Sequence, residues 1–140
     1  MSDSKILIAA FFDALQRSDL DTAMESWALD SRYVLHLSQE LLPFAGPTDG
    51  RENIRRQFKR MQEDWEYLLF RPGLVRNDPE DPSILHCRHE FLYRHRASGE
   101  DIAGRCRFVW RVENGMIVSC EEFHDRGRME AFLRLVGLGG

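Results

Sequence analysis

Residues 84–124 carry three consecutive runs, ILHCRHEFLYRH, DIAGRCRFVWRVE and MIVSCEEFH, in which apolar and polar side chains alternate. A period of two is the signature of strands with one buried face, so this stretch demands an antiparallel meander before anything else about the chain is settled. In the first run the odd positions Leu85, Cys87, His89, Phe91 and Tyr93 form the inward face, with His86, Arg88, Glu90 and Arg94 opposite. In the second the even positions Ile102, Gly104, Cys106, Phe108, Trp110 and Val112 face inward, against Arg105, Arg107 and Arg111. A turn around Ser98-Gly99 pairs odd with even and puts both apolar faces on one side of the sheet.

The third run depends on how Glu113-Asn114-Gly115-Met116 closes. A two-residue Asn-Gly turn followed by regular pairing sets Phe108 opposite Glu121 and Glu122 opposite Arg107. A three-residue turn with Gly115 as a left-handed bulge instead pairs Val112 with Met116, Trp110 with Val118, Phe108 with Cys120 and Cys106 with Glu122. A one-residue slip sends every side chain to the other face, so the closure that buries Val118 and Cys120 is preferred. It predicts Glu122 and His124 at the end of the apolar face, and Val109, Ile117 and Phe123 outside among the arginines.

Upstream the period changes. Ile8, Phe11, Phe12 and Leu15 form a helical stripe over residues 4–17, and Leu20, Ala23, Met24 and Trp27 repeat the spacing, with Ser18 or Asp19 as the cap between two helices. SRYVLHLS reads as a strand. QELLPFAGPTDG reads as an irregular loop, capped by Thr48 or Asp49 into a helix with Ile54, Phe58, Met61 and Trp65 on one face. Pro72-Gly73 marks an edge strand or bulge. Met129, Phe132, Leu133 and Val136 predict a closing helix, with Asp125 as its cap. The order is α+β, with helices covering one face of a sheet.

The chain has 140 residues, 43% of them hydrophobic and 30% charged, which fits one folded domain over residues 1–140. A formal net charge of −4 argues against a nucleic-acid partner. No apolar run approaches membrane-spanning length, and the first twenty residues fit a helix better than a signal peptide. Cys87, Cys106 and Cys120 are odd in number and widely spaced, which predicts reduced, buried thiols and a cytoplasmic location.

The candidate catalytic residues are Glu122, His89 and His124, because an acid and imidazoles aimed into an apolar concavity are the material of general acid–base catalysis. Phe91, Tyr93, Phe108 and Trp110 line the same face as candidate substrate contacts, and His36 joins them if the first strand shifts its register by one. The same residues admit a structural reading, with His89 as a core histidine satisfied by one hydrogen bond and Glu122 paired at a rim with an arginine or tyrosine. His86 and His89 lie on opposite strand faces and cannot chelate one ion, which rejects a metal there; no cofactor is expected.

Taken together, FFDALQRSDLDTAMESW, LPFAG followed by GRENI, and WRVENGMIVSCEEFHD resemble the nuclear transport factor 2-like superfamily, within it the SnoaL-like and ketosteroid-isomerase-like group. The resemblance implies a cystatin-like cone: a strongly curved antiparallel sheet wrapped around a pocket, with the N-terminal helices packed on its concave face, commonly as a homodimer. It implies activities from isomerase, cyclase and epoxide hydrolase to pure binding, so the fold alone names no reaction. At the positions resembling the ketosteroid isomerase tyrosine, base aspartate and second acid stand Phe11, Leu35 and Phe108, which excludes that mechanism. Against the limonene-epoxide-hydrolase type, Glu122 matches the last acid, while His89 and Phe91 occupy the arginine and first aspartate positions. The expectation is a small apolar or aromatic ligand, bound in the pocket and acted on without a cofactor, or a non-catalytic binding or association module.

Overall fold

The alternating runs become strands of one curved sheet. A computed structural model describes residues 3–137. The strands are β1 (Trp27–His36), β2 (Gly46–Asp49), β3 (Trp65–Pro72), β4 (Arg76–Asn77), β5 (Ile84–His95), β6 (Asp101–Glu113) and β7 (Met116–His124). Their order is β2-β1-β7-β6-β5-β3, with β4 beside β5. All neighbours are antiparallel except β1 and β7, which run parallel. That parallel junction brings the first strand of the chain against the last one. Among the described residues it is the one parallel pairing in a sheet that is otherwise antiparallel and left unclosed.

Helices α1 (Asp3–Gln16), α2 (Leu20–Met24), α3 (Arg51–Asp64) and α4 (Arg126–Leu135) complete the fold. The stripe of α1 is buried through Ile8, Phe11, Phe12 and Leu15. Phe11 meets Trp27, Phe58 and Trp110 at ring separations of 5.4, 5.6 and 5.7 Å, and Phe12 meets Phe108 and Trp110 at 5.3 Å each. Burying each such ring contributes about 1.5–3 kcal/mol, and the aromatic cluster locks the helix to the sheet.

Asp19 and Asp125 cap α2 and α4 as expected, their side chains accepting from Thr22 N and Arg128 N at 3.2 Å. Trp27 does not belong to the second helix, which is a single turn; it begins β1 with its ring fully buried. Nor do Thr48 and Asp49 cap α3. Both lie in β2, where Asp49 pairs with Arg32, and Gly50 takes the cap position with its N–H donated to Ser31 O at 2.8 Å.

Pro72 ends the edge strand β3, and Gly73 then passes directly over β5. Its N–H donates to Arg88 O at 2.8 Å, and a Cβ there would sit 2.3 Å from that oxygen. Only glycine allows the approach.

The turn between β6 and β7 overturns the predicted closure. Glu113 pairs with Met116 across a two-residue turn in which Asn114 and Gly115 have φ of 51° and 74°, the left-handed pair that suits strand twist. Val112 then pairs with Ile117, but Arg111 pairs with Ser119, so Val118 is an extra residue bulged out of the ladder. The bulge supplies the one-residue correction that the turn does not. Ile117 and Cys120 both face the core, at 0% and 1% exposure, and Glu122 stays inward. Ile117, expected on the outer face, therefore lies in the core, and Val118 rather than Ile117 is the half-buried residue. Glu122 lies opposite Phe108, and Cys106 opposite His124, each one pair away from the predicted partner.

Candidate functional site

Strand β1 alternates inward at Ser31, Tyr33 and Leu35, and its parallel pairing places Leu35 beside Glu122. Tyr33 therefore projects under the end of β7. Its hydroxyl donates to Glu122 Oε1 at 2.5 Å, while His124 Nε2 lies 2.6 Å from Glu122 Oε2. Side-chain exposure is 3% for His124 and 6% for Glu122, so both groups are withdrawn from water. Both carboxyl oxygens are engaged, one by a phenol and one by an imidazole, with Nδ1 of His124 buried and without a hydrogen-bond partner among the described residues.

The three side chains border apolar space. A cavity of about 40 Å³ is lined by Glu122 and His124 together with Leu35, Phe44, Met61 and Tyr93 among others, and α4 closes it with Met129 and Leu133. A second space of about 20 Å³ continues deeper past Tyr33, Tyr67, Phe108, Trp110 and Glu122. No arginine or lysine lines either space among the described residues. Burial, reinforced by the nearby Glu122, holds the Tyr33 and Tyr67 hydroxyls above the usual phenol range, and burial does the same for Tyr93. These phenols therefore stay protonated and act as donors.

His89 sits elsewhere. It is 1% exposed, packed against Phe12, Phe108 and Phe70 at ring separations of 4.3, 4.7 and 5.0 Å, with Nε2 3.2 Å from Cys87 Sγ. Burial pushes its pKa down to about 4, against the opposing pull of Glu122, so the ring is neutral. Trp110 Nε1 donates to the same sulfur at 3.3 Å, and burial drives the Cys87 thiol up to about 11. All three cysteines are free and buried.

His36 does not enter the pocket. The register of β1 does not shift there, so its ring lies on the outer sheet face, stacked 4.3 Å from Phe123 and 3.0 Å from Glu121 Oε1. Phe91 is buried but lies to one side of both spaces, stacked on Tyr93 at 4.3 Å and edge-on to His124 at 5.4 Å. Of the predicted residues, Glu122, His124 and Tyr93 converge on the cavity and Phe108 and Trp110 on the deeper space; His89, Phe91 and His36 do not. Sequence reasoning missed Tyr33. Its signal was the alternation Ser31, Tyr33, Leu35, which marks a phenol on the inward face of a short strand.

The model of the SnoaL-like domain family matches residues 8–120. The chain belongs to the SnoaL-like domain family. Among solved structures, an NTF2-like protein from Burkholderia thailandensis superposes on this SnoaL-like domain with a TM-score of 0.77 at 23% identity, covering 97% of this chain and 98% of that one. A proposed polyketide cyclase from Xanthomonas campestris gives 0.75 at 14% identity, over 96% and 97% of the two chains. A protein with a ketosteroid isomerase-like fold from Catenulispora acidiphila, in complex with trimethylamine, gives 0.70 at 14% identity over 84% of each. These likenesses establish that the SnoaL-like domain has the cone fold. Among curated proteins, none matches the chain.

Proposed function

We propose that the chain binds a small apolar or aromatic metabolite between the sheet and α4, and that Glu122 and His124 move a proton in a cofactor-independent isomerase, cyclase or hydrolase step. The observation that carries this reading is the contact between Glu122 Oε2 and His124 Nε2 at 2.6 Å on the wall of an apolar cavity. A purely structural carboxyl group at such a place would be satisfied by one arginine or tyrosine, and Tyr33 alone meets that need; the imidazole on the second oxygen goes beyond it. With a phenol on one oxygen and an imidazole on the other, Glu122 belongs to a set through which a proton can be accepted and returned. Tyr33 fixes the orientation of the acid, and His124 is the exchange partner, with its Nδ1 still free to bond. The fold likeness to a proposed polyketide cyclase is consistent with this class of chemistry.

A metabolite of this kind needs more room than about 40 Å³. Binding therefore requires α4, with Met129 and Leu133, to move outward. The narrow cavity is also the observation that favours the second reading, a binding or association module whose interior is mostly filled. Across the outer sheet face we propose a homodimer centred on Phe123, whose ring is flanked by His36 at 4.3 Å and the Arg107 guanidinium at 4.5 Å. Three free buried thiols fit the reducing cytoplasm.

Native mass spectrometry of the purified protein tests the binding step, with a bound small molecule expected and its structure naming the substrate class. Turnover of that molecule by wild type and by Glu122→Gln then tests the chemistry. The amide preserves shape and removes proton transfer, so binding should persist while turnover falls by roughly 10²–10⁴-fold. Full activity in the variant would leave only the binding module.

A further inference from the structure

The meander brings together three metal-binding donors from two neighbouring strands. Cys106 on β6 stands opposite His124 on β7, and Glu122 lies two residues before His124 on the same face. A sulfur, a carboxyl oxygen and an imidazole nitrogen from these residues all lie within 4.8 Å of one another. All three side chains are almost completely buried: Cys106 is 4% exposed, Glu122 5%, and the His124 side chain 3%.

We propose that Cys106, Glu122 and His124 form a binding site for one zinc-class transition-metal ion. The donor set decides the class. A thiolate with an imidazole selects Zn²⁺ or Co²⁺ over Mg²⁺ and Ca²⁺, which take oxygen cages. Charge is balanced as well, because one thiolate and one carboxylate neutralise a divalent ion and leave no net charge in an apolar interior. Tyr33 already holds Glu122 Oε1, which leaves Oε2 for the metal and supplies the outer hydrogen bond that ligating carboxylates use.

Bonds of about 2.0–2.3 Å put the donors of a tetrahedral site roughly 3.2–3.8 Å apart. The cluster must therefore tighten around the ion, while the Glu122–His124 contact opens from 2.6 Å. A fourth ligand can be water, since the adjoining cavity of about 40 Å³ exceeds the roughly 10–15 Å³ that one water needs. Binding releases the Cys106 thiol proton to solvent, moves the proton held between Glu122 Oε2 and His124 Nε2 to His124 Nδ1, and replaces that hydrogen bond by two metal bonds. Metal and proton exchange thus compete for the same pair. The site stands whether or not the pair is catalytic, because metal binding is read without turnover.

Co²⁺ titration of the full chain, freed of metal by a chelator, tests it. One ion per chain should bind and produce the near-ultraviolet charge-transfer band of a thiolate–cobalt bond. Cys106→Ser should abolish the band and weaken Zn²⁺ binding at least about 10–100-fold, while Cys87→Ser keeps both. Absence of the band in wild type, or its survival in Cys106→Ser, overturns the site. If Cys106→Ser lacks the native near-ultraviolet circular dichroism, His124→Gln, which keeps the thiol, decides: unchanged Zn²⁺ affinity in that variant also overturns it.

Discussion

The hydroxyl of Tyr33 and the carboxyl group of Glu122, 89 residues apart in the chain, lie 2.5 Å from each other at the junction of the first and last strands. This bond ties the only parallel pairing of the described sheet to the candidate acid. Tyr33→Phe removes the donor without changing the shape and leaves a buried acceptor short of one partner. The expected loss is about 1–3 kcal/mol of unfolding free energy, read from urea titrations of both proteins. Coincident curves would show that the bond orients Glu122 without stabilising the fold.

His89 makes stability depend on pH in a defined window. Its pKa is about 4 in the fold against 6.5 for the free side chain, so the unfolded chain takes up the proton first as pH falls. Stability from this group is complete above about pH 6.5, declines between 6.5 and 4, and levels off below, for a total on the order of 3 kcal/mol. His89→Leu should lose that part of the slope. Parallel pH profiles for wild type and variant would assign the acid sensitivity elsewhere.

Gly73→Ala should destabilise the edge of the sheet, because the new methyl group collides with the carbonyl oxygen of Arg88 on backbone that cannot swing away. Overpacking of this kind costs roughly 1–3 kcal/mol, and exchange of the Gly73 amide should quicken more than that of amides in β6. Equal melting temperatures for the two proteins would contradict the close approach.

The proposed dimer is tested by light scattering coupled to size exclusion at micromolar concentration. Wild type should run at twice the chain mass, and Phe123→Lys at the chain mass, since a second cation beside the Arg107 guanidinium at the centre of the face cannot be buried unpaired. A wild-type monomer removes the proposal.

Much of the meander was legible because its period of two leaves one assignment for each strand. Leu85, Cys87 and Phe91, with Cys106, Phe108 and Trp110, all face inward as their alternation requires. The inward position of Glu122 was also readable, although by the wrong route. A turn with an extra residue and a bulge one step later give the same phase beyond Cys120, and hydrophobic patterning registers only the phase. Ile117 was misplaced for that reason. Tyr33 could not be paired with Glu122 in advance, because nothing in either segment states that β1 lies parallel to β7. His124 and His89 looked equivalent in sequence. They differ in that His89 is enclosed by three phenylalanine rings from α1, β3 and β6, a neighbourhood that only the assembled fold creates.

Val118 works as a one-letter insertion in a reading frame. Before it, β7 takes its phase from the Asn-Gly turn; after it, from the partner residues on β6. The direction of Glu122 is set by turn and bulge together, so a turn longer by one residue keeps the acid inward only if the Val118 bulge is lost. Relatives whose hairpin differs by one residue in length should show the change cancelled within a few residues of the bulge.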